Sequence, residues 1–311
     1  MSREIGFKRL TGRILAQIGL IHQMQGHAPE ASKALKEAVE IARATGDKGG
    51  LAGADLTLGL VLRQTGDLAA AEATYSEAGA ICQELSDPLG TASTLNSSAS
   101  VNISRGEYAR AADQLAEAEQ LFRKLGNRKS LAATLSNIGT VEYYRGDLAK
   151  SAAAYKEECE LHQALNEKEL LASCRINQTL EIQAAGRVAE AKAEAARILA
   201  ASDRSRLTPL DWAKLVTIQI AAGDLNDARN SLKQAVAVAA KSHDPEQTLP
   251  VRIASARLDE ATGNAPRAAA SLARARSEAE RFGLAPLAQI AHPGIPGLIP
   301  PGPSYAAVTR R

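Results

Sequence analysis

Three cysteines and five histidines are the residues of this chain best suited to metal binding or redox chemistry. The cysteines Cys82, Cys159 and Cys174 are unevenly spaced and include no C-x-x-C pair. The histidines form no H-x-x-x-H pair. We therefore predict no disulfide, no metal site and no cofactor, with the cysteines as small buried side chains. Surface or turn positions are predicted for the histidines, which are His22, His27, His162, His243 and His292.

Two segments share some features with phosphate-binding loops. The closely spaced glycines from Gly46 to Gly53 are not preceded by a strand, which such a loop requires. Lys129-Ser130 follows Gly126, but Arg128 stands where a glycine should precede the lysine. No catalytic constellation is therefore visible, and the sequence predicts a protein that is not an enzyme.

Seven glycines divide most of the chain into repeats of nearly equal length. The steps between them are 40, 40, 40, 40, 37 and 40 residues, a period typical of a supersecondary unit copied along the chain. Turn-like clusters such as Thr45-Gly46-Asp47 and Asn166-Glu167 lie midway between them. Apolar residues between turns recur at i, i+3, i+4 and i+7, so we predict fourteen helices and no strand. The glycines are Gly26, Gly66, Gly106, Gly146, Gly186, Gly223 and Gly263.

Helix starts are marked by an N-cap acceptor followed by proline. Asp87-Pro88, Thr208-Pro209 and Asp244-Pro245 have this pattern, in which proline occupies the first helical position. Pro250 lies six residues after Asp244 and predicts a late start or a kink in that helix.

Small and large residues alternate at fixed distances from each glycine. Five residues after it stands alanine in six of the seven repeats, and larger residues such as Tyr75 and Tyr155 stand nine after it. This arrangement resembles the tetratricopeptide repeat, in the long variety of kinesin light chains and Pins-type scaffolds. The best match runs from Leu135 to Gly139 and on through Tyr143-Tyr144-Arg145-Gly146 to Tyr155. The resemblance covers about residues 7–282 and implies an all-α, right-handed superhelical solenoid of seven repeats. HEAT-like repeats are the structural alternative, although their prolines and charged pair are not seen.

Composition sets limits on partners and location. The net charge of +2 gives no electrostatic case for nucleic acid, and no apolar run is long enough to cross a membrane. We expect a cytoplasmic protein, with the solenoid over 1–284 and a short cap over 285–291. A Pro/Gly-rich disordered tail is expected over 292–311. The 37-residue step predicts three residues missing from the second helix of the fifth repeat or its turn. A change of superhelical pitch is expected there.

The resemblance also implies a partner-binding groove on the first helix of each repeat. In the related scaffolds an asparagine holds the backbone of an extended peptide, and Asn137 and Asn177 occupy that position here. Tyr143 is expected to point into the groove. Replacing both asparagines with alanine should weaken binding and leave the melting transition nearly unchanged. The predicted groove residues are Gln17, Leu56, Thr57, Leu60, Arg63, Asn96, Ser97, Ser100, Asn137, Thr140, Tyr143, Asn177, Leu180, Gln183 and Lys214.

Three interpretations of this surface remain. The asparagines could simply hydrate an exposed helix face, with no ligand. A scaffold or adaptor would bind an extended or helical segment of another protein. A peptide-sensing regulator would change its superhelix on binding a short peptide. Arg13, Arg63, Lys214 and Arg257 favour a mildly acidic partner, and the end repeats could support a homo-oligomer.

Overall fold

A computed structural model describes residues 2–292, with side chains from Glu4 onward. Within that range there are fifteen α-helices, one short 3-10 helix and no strand, which confirms the all-α repeat class. The predicted tail lies outside the described residues apart from His292. The helices are α1 (Ser2–Met24), α2 (Ala28–Thr45), α3 (Lys48–Gln64), α4 (Leu68–Glu84), α5 (Pro88–Ser104), α6 (Tyr108–Leu125), α7 (Arg128–Arg145), α8 (Leu148–Ala164), α9 (Lys168–Ala184), α10 (Val188–Ala201), α11 (Pro209–Ala221), α12 (Leu225–Ala239), α13 (Pro245–Ala261), α14 (Ala265–Arg281) and α15 (Ala285–Ile290).

The seven repeat-marking glycines end the first helix of each repeat. All seven have positive φ values, from 76° at Gly223 to 88° at Gly263, in the left-handed region that L side chains rarely adopt. The chain can then reverse direction, as at Gly146, whose amide donates to the carbonyl of Tyr143 at 3.0 Å. Glycine recurs with the 40-residue period because the turn after the first helix of each repeat requires this left-handed conformation.

The predicted helix starts are confirmed by their caps. Asp87 accepts from the amide of Gly90 at 3.0 Å, and Thr208 forms a reciprocal capping box with Asp211. Asp244 accepts from the amide of Glu246 at 2.8 Å. The predicted late start at Pro250 is wrong, because the Asp244 cap and Pro245 begin α13, which continues through Pro250. The alternative, a kink at Pro250, stays a prediction.

The chain forms two compact blocks, which we describe separately. The N-terminal block contains residues up to Asn102 together with 109–127. Its core joins α2 and α3 through Leu35, Val39, Leu58 and Val61, all of which are buried. Tyr75 of α4 is also buried.

The C-terminal block contains residues 103–108 and the described chain from Arg128 onward. Successive helices from α7 to α14 pack as neighbours, and α15 packs on α14. One contact joins distant parts of the sequence, since the Ser104 hydroxyl donates to the Glu246 carboxylate at the start of α13. Both of these side chains are buried.

Glycine is required where a helix meets the large residue of the paired helix. A Cβ added at Gly59 in α3 would lie 2.5 Å from Cε1 of buried Tyr75, closer than real Cβ atoms approach. Gly53 lies in the same helix, and nothing comes within 4 Å of its added Cβ. We predict that Gly59→Ala lowers the free energy of unfolding by about 1–3 kcal/mol through overpacking. Gly53→Ala should raise it by about 0.5–1 kcal/mol through helix propensity.

Urea unfolding of the two variants, followed by circular dichroism, measures this difference. Both changes add one methyl group to the same helix, so each serves as the control for the other. Equal effects of the same sign would show that contact with Tyr75 does not select glycine at residue 59.

The fifth repeat is shortened where the sequence predicted. Helix α10 has 14 residues, whereas α8 and α9 have 17 each. A 3-10 helix, Arg204–Arg206, and an extended segment then lead to α11, which is also short at 13 residues. The shortening therefore affects both helices that flank this turn. The change of pitch stays a prediction.

The prediction that no cysteine forms a disulfide is wrong for two of the three. Cys159 in α8 and Cys174 in α9 are bonded, with their Cα atoms 5.7 Å apart, whereas Cys82 is free and buried. The two bonded residues lie seven residues before and eight residues after Asn166, which turns the chain between these antiparallel helices. Residues at similar distances before and after such a turn lie opposite each other on the two helices. This spacing could have predicted the disulfide, but the sequence analysis considered only the uneven separation of all three cysteines.

Candidate functional site

Most of the accessible residues of the predicted groove lie in the N-terminal block. Gln17 of α1 is exposed, and five residues of α3 and α5 are partly exposed. The two helices α1 and α3 are in contact, and the Gln23 amide donates to the side-chain oxygen of Gln64 at 3.1 Å. Arg63 and Ser100 are buried, so their side chains are not available on this face. The five partly exposed residues are Leu56, Thr57, Leu60, Asn96 and Ser97.

The predicted groove residues of the C-terminal block are mostly buried. Asn137 is 3% exposed and Asn177 is 0% exposed, so these two amides do not form an open ladder for a peptide. Because both amides belong to the interior, we now expect their removal to lower the melting temperature. The other buried members of the predicted set are Thr140, Leu180, Gln183 and Lys214.

Asn177 is used inside the protein by a buried cation. Lys214 of α11 donates from Nζ to Asn177 Oδ1 of α9 at 2.7 Å. Burial lowers the pKa of Lys214 to about 8, while the charges of Asp211 and Glu158 act in the opposite direction. Asp211 in turn accepts from the Ser173 hydroxyl at 2.9 Å. These polar groups connect α9 to α11 across two successive repeats.

Further buried polar groups connect α7, α8 and α9. The Ser151 hydroxyl oxygen lies 2.8 Å from the carbonyl oxygen of Gly139 and is also within hydrogen-bond distance of the Glu181 carboxylate, so its single proton is shared between these two acceptors. Burial raises the pKa of Glu181, although the bond from Ser151 lowers it. Thr140 and the Tyr155 hydroxyl are 3.0 Å apart. Sequence reasoning missed this cluster, although serine at residue 151, where six other repeats have alanine, marks it.

A triplet of ionisable side chains lies at the end of α8. His162 is buried, with Nδ1 3.0 Å from Glu167 and Nε2 3.6 Å from Glu158. Burial lowers the pKa of His162, but hydrogen bonds and charges from Glu158 and Glu167 outweigh it, so the net shift is upward. The prediction of a surface or turn position for His162 is wrong, because two carboxylates compensate its burial.

Tyrosines form the accessible aromatic surface of the C-terminal block. Tyr143 is partly exposed and meets Tyr144 edge to face, with ring centroids 6.0 Å apart. Tyr144 stacks on Tyr108 at 4.6 Å. Burial raises the pKa of Tyr143 and of Tyr108. Of the predicted groove residues that the structure describes in this block, Tyr143 alone is partly exposed.

The four cations that suggested an acidic partner interact within the chain. Arg13 binds Asp47 through two hydrogen bonds of 2.8 and 3.1 Å. Arg257 pairs with Glu260 at 2.8 Å and donates to the carbonyls of Ile290 and His292. Arg63 and Lys214 are buried. These residues therefore give no support for an acidic partner.

The described residues contain no group of three or more His, Cys, Asp or Glu side chains placed to hold a metal ion. None of the described helices has the length and apolar character needed to span a bilayer.

Family patterns match parts of the chain. The tetratricopeptide repeat pattern matches residues 50–124. The pattern of anaphase-promoting complex subunit 5 matches residues 13–64 and 205–261. No curated protein sequence matches the chain.

Solved structures of helical repeat proteins resemble this fold. A Rap protein complexed with Competence and Sporulation Factor is 15% identical, with a TM-score of 0.71 over 86% of this chain and 74% of the other. The Rap conjugation regulator of plasmid pLS20, bound to the Phr* peptide, is 11% identical, with a TM-score of 0.61 over 88% and 85%. A tetratricopeptide repeat protein from Parabacteroides merdae is 15% identical, with a TM-score of 0.55 over 91% and 99%. The chain has the fold of tetratricopeptide-type helical repeat proteins.

Proposed function

We propose that this protein is a non-enzymatic scaffold or adaptor that binds an extended or helical segment of a partner protein. The observation that carries the proposal is the mixed apolar and polar face of the N-terminal block. Leu56 and Leu60 supply partly exposed apolar surface on α3, and Thr57, Asn96 and Ser97 supply hydroxyl and amide groups. Amides and hydroxyls can both donate to and accept from a peptide backbone, while leucines anchor its side chains.

Peptides selected from a display library against the intact chain provide defined probes. Their affinities can then be measured by calorimetry for the wild type and for a Leu56→Ser/Leu60→Ser variant. We expect the variant to bind at least about tenfold more weakly, because anchor residues carry most of the binding energy in such interfaces. Thermal unfolding must be recorded alongside to show that the variant is folded.

Leu89→Ser is the matched control, since Leu89 is 47% exposed at the start of α5 and is not part of the proposed face. It should bind the selected peptides with wild-type affinity. If the selected peptides bind the Leu56→Ser/Leu60→Ser variant as tightly as the wild type, the proposed face is wrong.

A peptide-sensing regulator is the second candidate, supported by the structural similarity to a Rap protein solved with the Phr* peptide. In that case a bound peptide should change the dimensions of the solenoid. Small-angle scattering with and without a selected peptide separates the two functions, because a scaffold keeps its radius of gyration and a sensor does not.

A further inference from the structure

The outer face of α1 carries an apolar stripe that the described residues leave exposed. Six large side chains along it are between 39% and 72% exposed. Large exposed apolar patches on soluble proteins usually mark interaction surfaces. The stripe consists of Phe7, Leu10, Ile14, Ile18, Ile21 and Met24.

The equivalent residues of the next repeat show that these positions pack against another helix. Forty residues later, the positions of Ile14, Ile18 and Ile21 are occupied by Ala54, Leu58 and Val61 of α3. Those three residues are buried in a common core with α2, the second helix of the preceding repeat. The stripe on α1 therefore occupies the positions at which a repeat receives another helix.

The spacing of the stripe also suits packing along a helix. Phe7, Leu10, Ile14, Ile21 and Met24 fall on the a and d positions of a heptad, as in two helices that pack side by side. With 23 residues, α1 offers a surface about 35 Å long at 1.5 Å per residue. A second helix of similar length could cover most of it.

We propose that α1 is an interface between two copies of this chain, with the two α1 helices antiparallel and related by a two-fold axis. Such an interface must be self-complementary. Reversal places Phe7 opposite Met24 and Leu10 opposite Ile21, so large apolar residues meet toward both ends of the stripe. At its middle, Ile14 lies opposite Gln17.

Charge selects the antiparallel orientation. Lys8, Arg9 and Arg13 lie in the first half of α1, whereas the segment from Ile14 to Met24 contains no lysine, arginine, aspartate or glutamate. Lys8 pairs with Glu4 at 3.4 Å, Arg9 donates to the Thr45 carbonyl and Arg13 binds Asp47, so this half of the helix is less strongly cationic than its three basic residues alone would make it. Antiparallel packing brings the cationic half of each helix beside the uncharged half of the other, near its negative dipole end. Parallel packing would instead place the Lys8 side chains of the two copies together.

The proposal is tested by light scattering and sedimentation of the purified chain. Protein concentrations up to about 100 µM are used, because this range detects weak interfaces. The wild type should form dimers, and Ile14→Glu/Ile21→Glu should weaken association by at least about 30-fold, since each change introduces a charge into an apolar interface. Val236→Glu on α12 is the matched control, because Val236 is an aliphatic residue 53% exposed elsewhere. That variant should dimerise like the wild type.

A crosslinking experiment tests the orientation. When Phe7→Cys and Met24→Cys chains are mixed under mild oxidation, disulfide-linked heterodimers should form faster than either homodimer. Faster Phe7→Cys homodimer formation would overturn the antiparallel arrangement. A wild type that is monomeric at every concentration would overturn the dimer and show that the stripe receives another helix. The affinity of the Ile14→Glu/Ile21→Glu variant for the selected peptides should equal that of the wild type. This measurement separates failure of the dimer interface from failure of the proposed peptide-binding face.

Discussion

Replacing Lys214 with methionine is expected to lower the free energy of unfolding by about 1–3 kcal/mol, because the buried amide oxygen of Asn177 loses its hydrogen-bond donor. Lys214 is 1% exposed, and its ammonium group binds Asn177. The carboxylate of Glu158, which is 0% exposed, contributes to keeping Lys214 charged. Methionine fills similar volume but leaves Asn177 and Glu158 without this cation. Urea unfolding at pH 7 measures the loss.

The pH dependence gives this prediction a second measurement. The pKa of Lys214 is lowered from 10.5 to about 8 in the folded protein, so the folded state binds fewer protons between these values. Wild-type stability should therefore gain a contribution of about 1 kcal/mol from Lys214 between pH 7 and pH 9. Lys214→Met removes this contribution.

Two further variants control the Lys214 experiment. Lys156→Met changes a lysine whose side chain is 75% exposed, and it should alter stability by less than about 0.5 kcal/mol. Combining Lys214→Met with Glu158→Gln should recover part of the loss, because the buried negative charge is also removed. Strictly additive effects of the two changes would contradict the coupling between Lys214 and Glu158.

Replacing Asp55 with asparagine is expected to raise the free energy of unfolding by about 2–4 kcal/mol at pH 8. Asp55 is 2% exposed in α3, and burial raises its pKa from 3.8 to about 7, with the charge of Glu77 adding to the effect. Arg43 acts in the opposite direction, but it also binds Glu77 at 2.5 Å. Ionised Asp55 is therefore poorly compensated, and asparagine cannot ionise.

The sign of this effect depends on pH. Because the folded-state pKa is the higher one, the folded state binds more protons between pH 3.8 and about 7, and wild-type stability falls across that window. The advantage of Asp55→Asn should be full above pH 7 and disappear near pH 4. Asp113→Asn, on the exposed surface of α6, should show no such profile. An equal gain at pH 4 and pH 8 would exclude ionisation of Asp55 as the cause.

The fold could be predicted from sequence because its determinants are local and repeated. Each repeat glycine adopts a left-handed conformation that few other residues tolerate. Alanines such as Ala31, Ala71 and Ala111 are fully buried where helices approach closely. These requirements recur at fixed distances, so the period, the helix pairs and the repeat type follow from residue types alone.

The candidate site was less predictable because exposure depends on how successive repeats pack. Asn137 and Asn177 have the residue type and position of peptide-binding asparagines, yet both are buried. Asn177 is committed to Lys214, which lies 37 residues away. The two residues occupy equivalent positions of adjacent repeats, so their burial depends on a contact between repeats, and a single-repeat pattern does not contain that information.

The contact between Ser104 and Glu246 has a consequence for folding during synthesis. Most helix contacts of the C-terminal block join neighbouring helices and can form as the chain leaves the ribosome. Ser104 and Glu246 are separated by 142 residues. At 5–20 residues per second, the ribosome needs roughly 7–28 s to make that stretch. The segment 103–108 therefore waits at least that long for this contact, which forms only after the start of α13 has been synthesised.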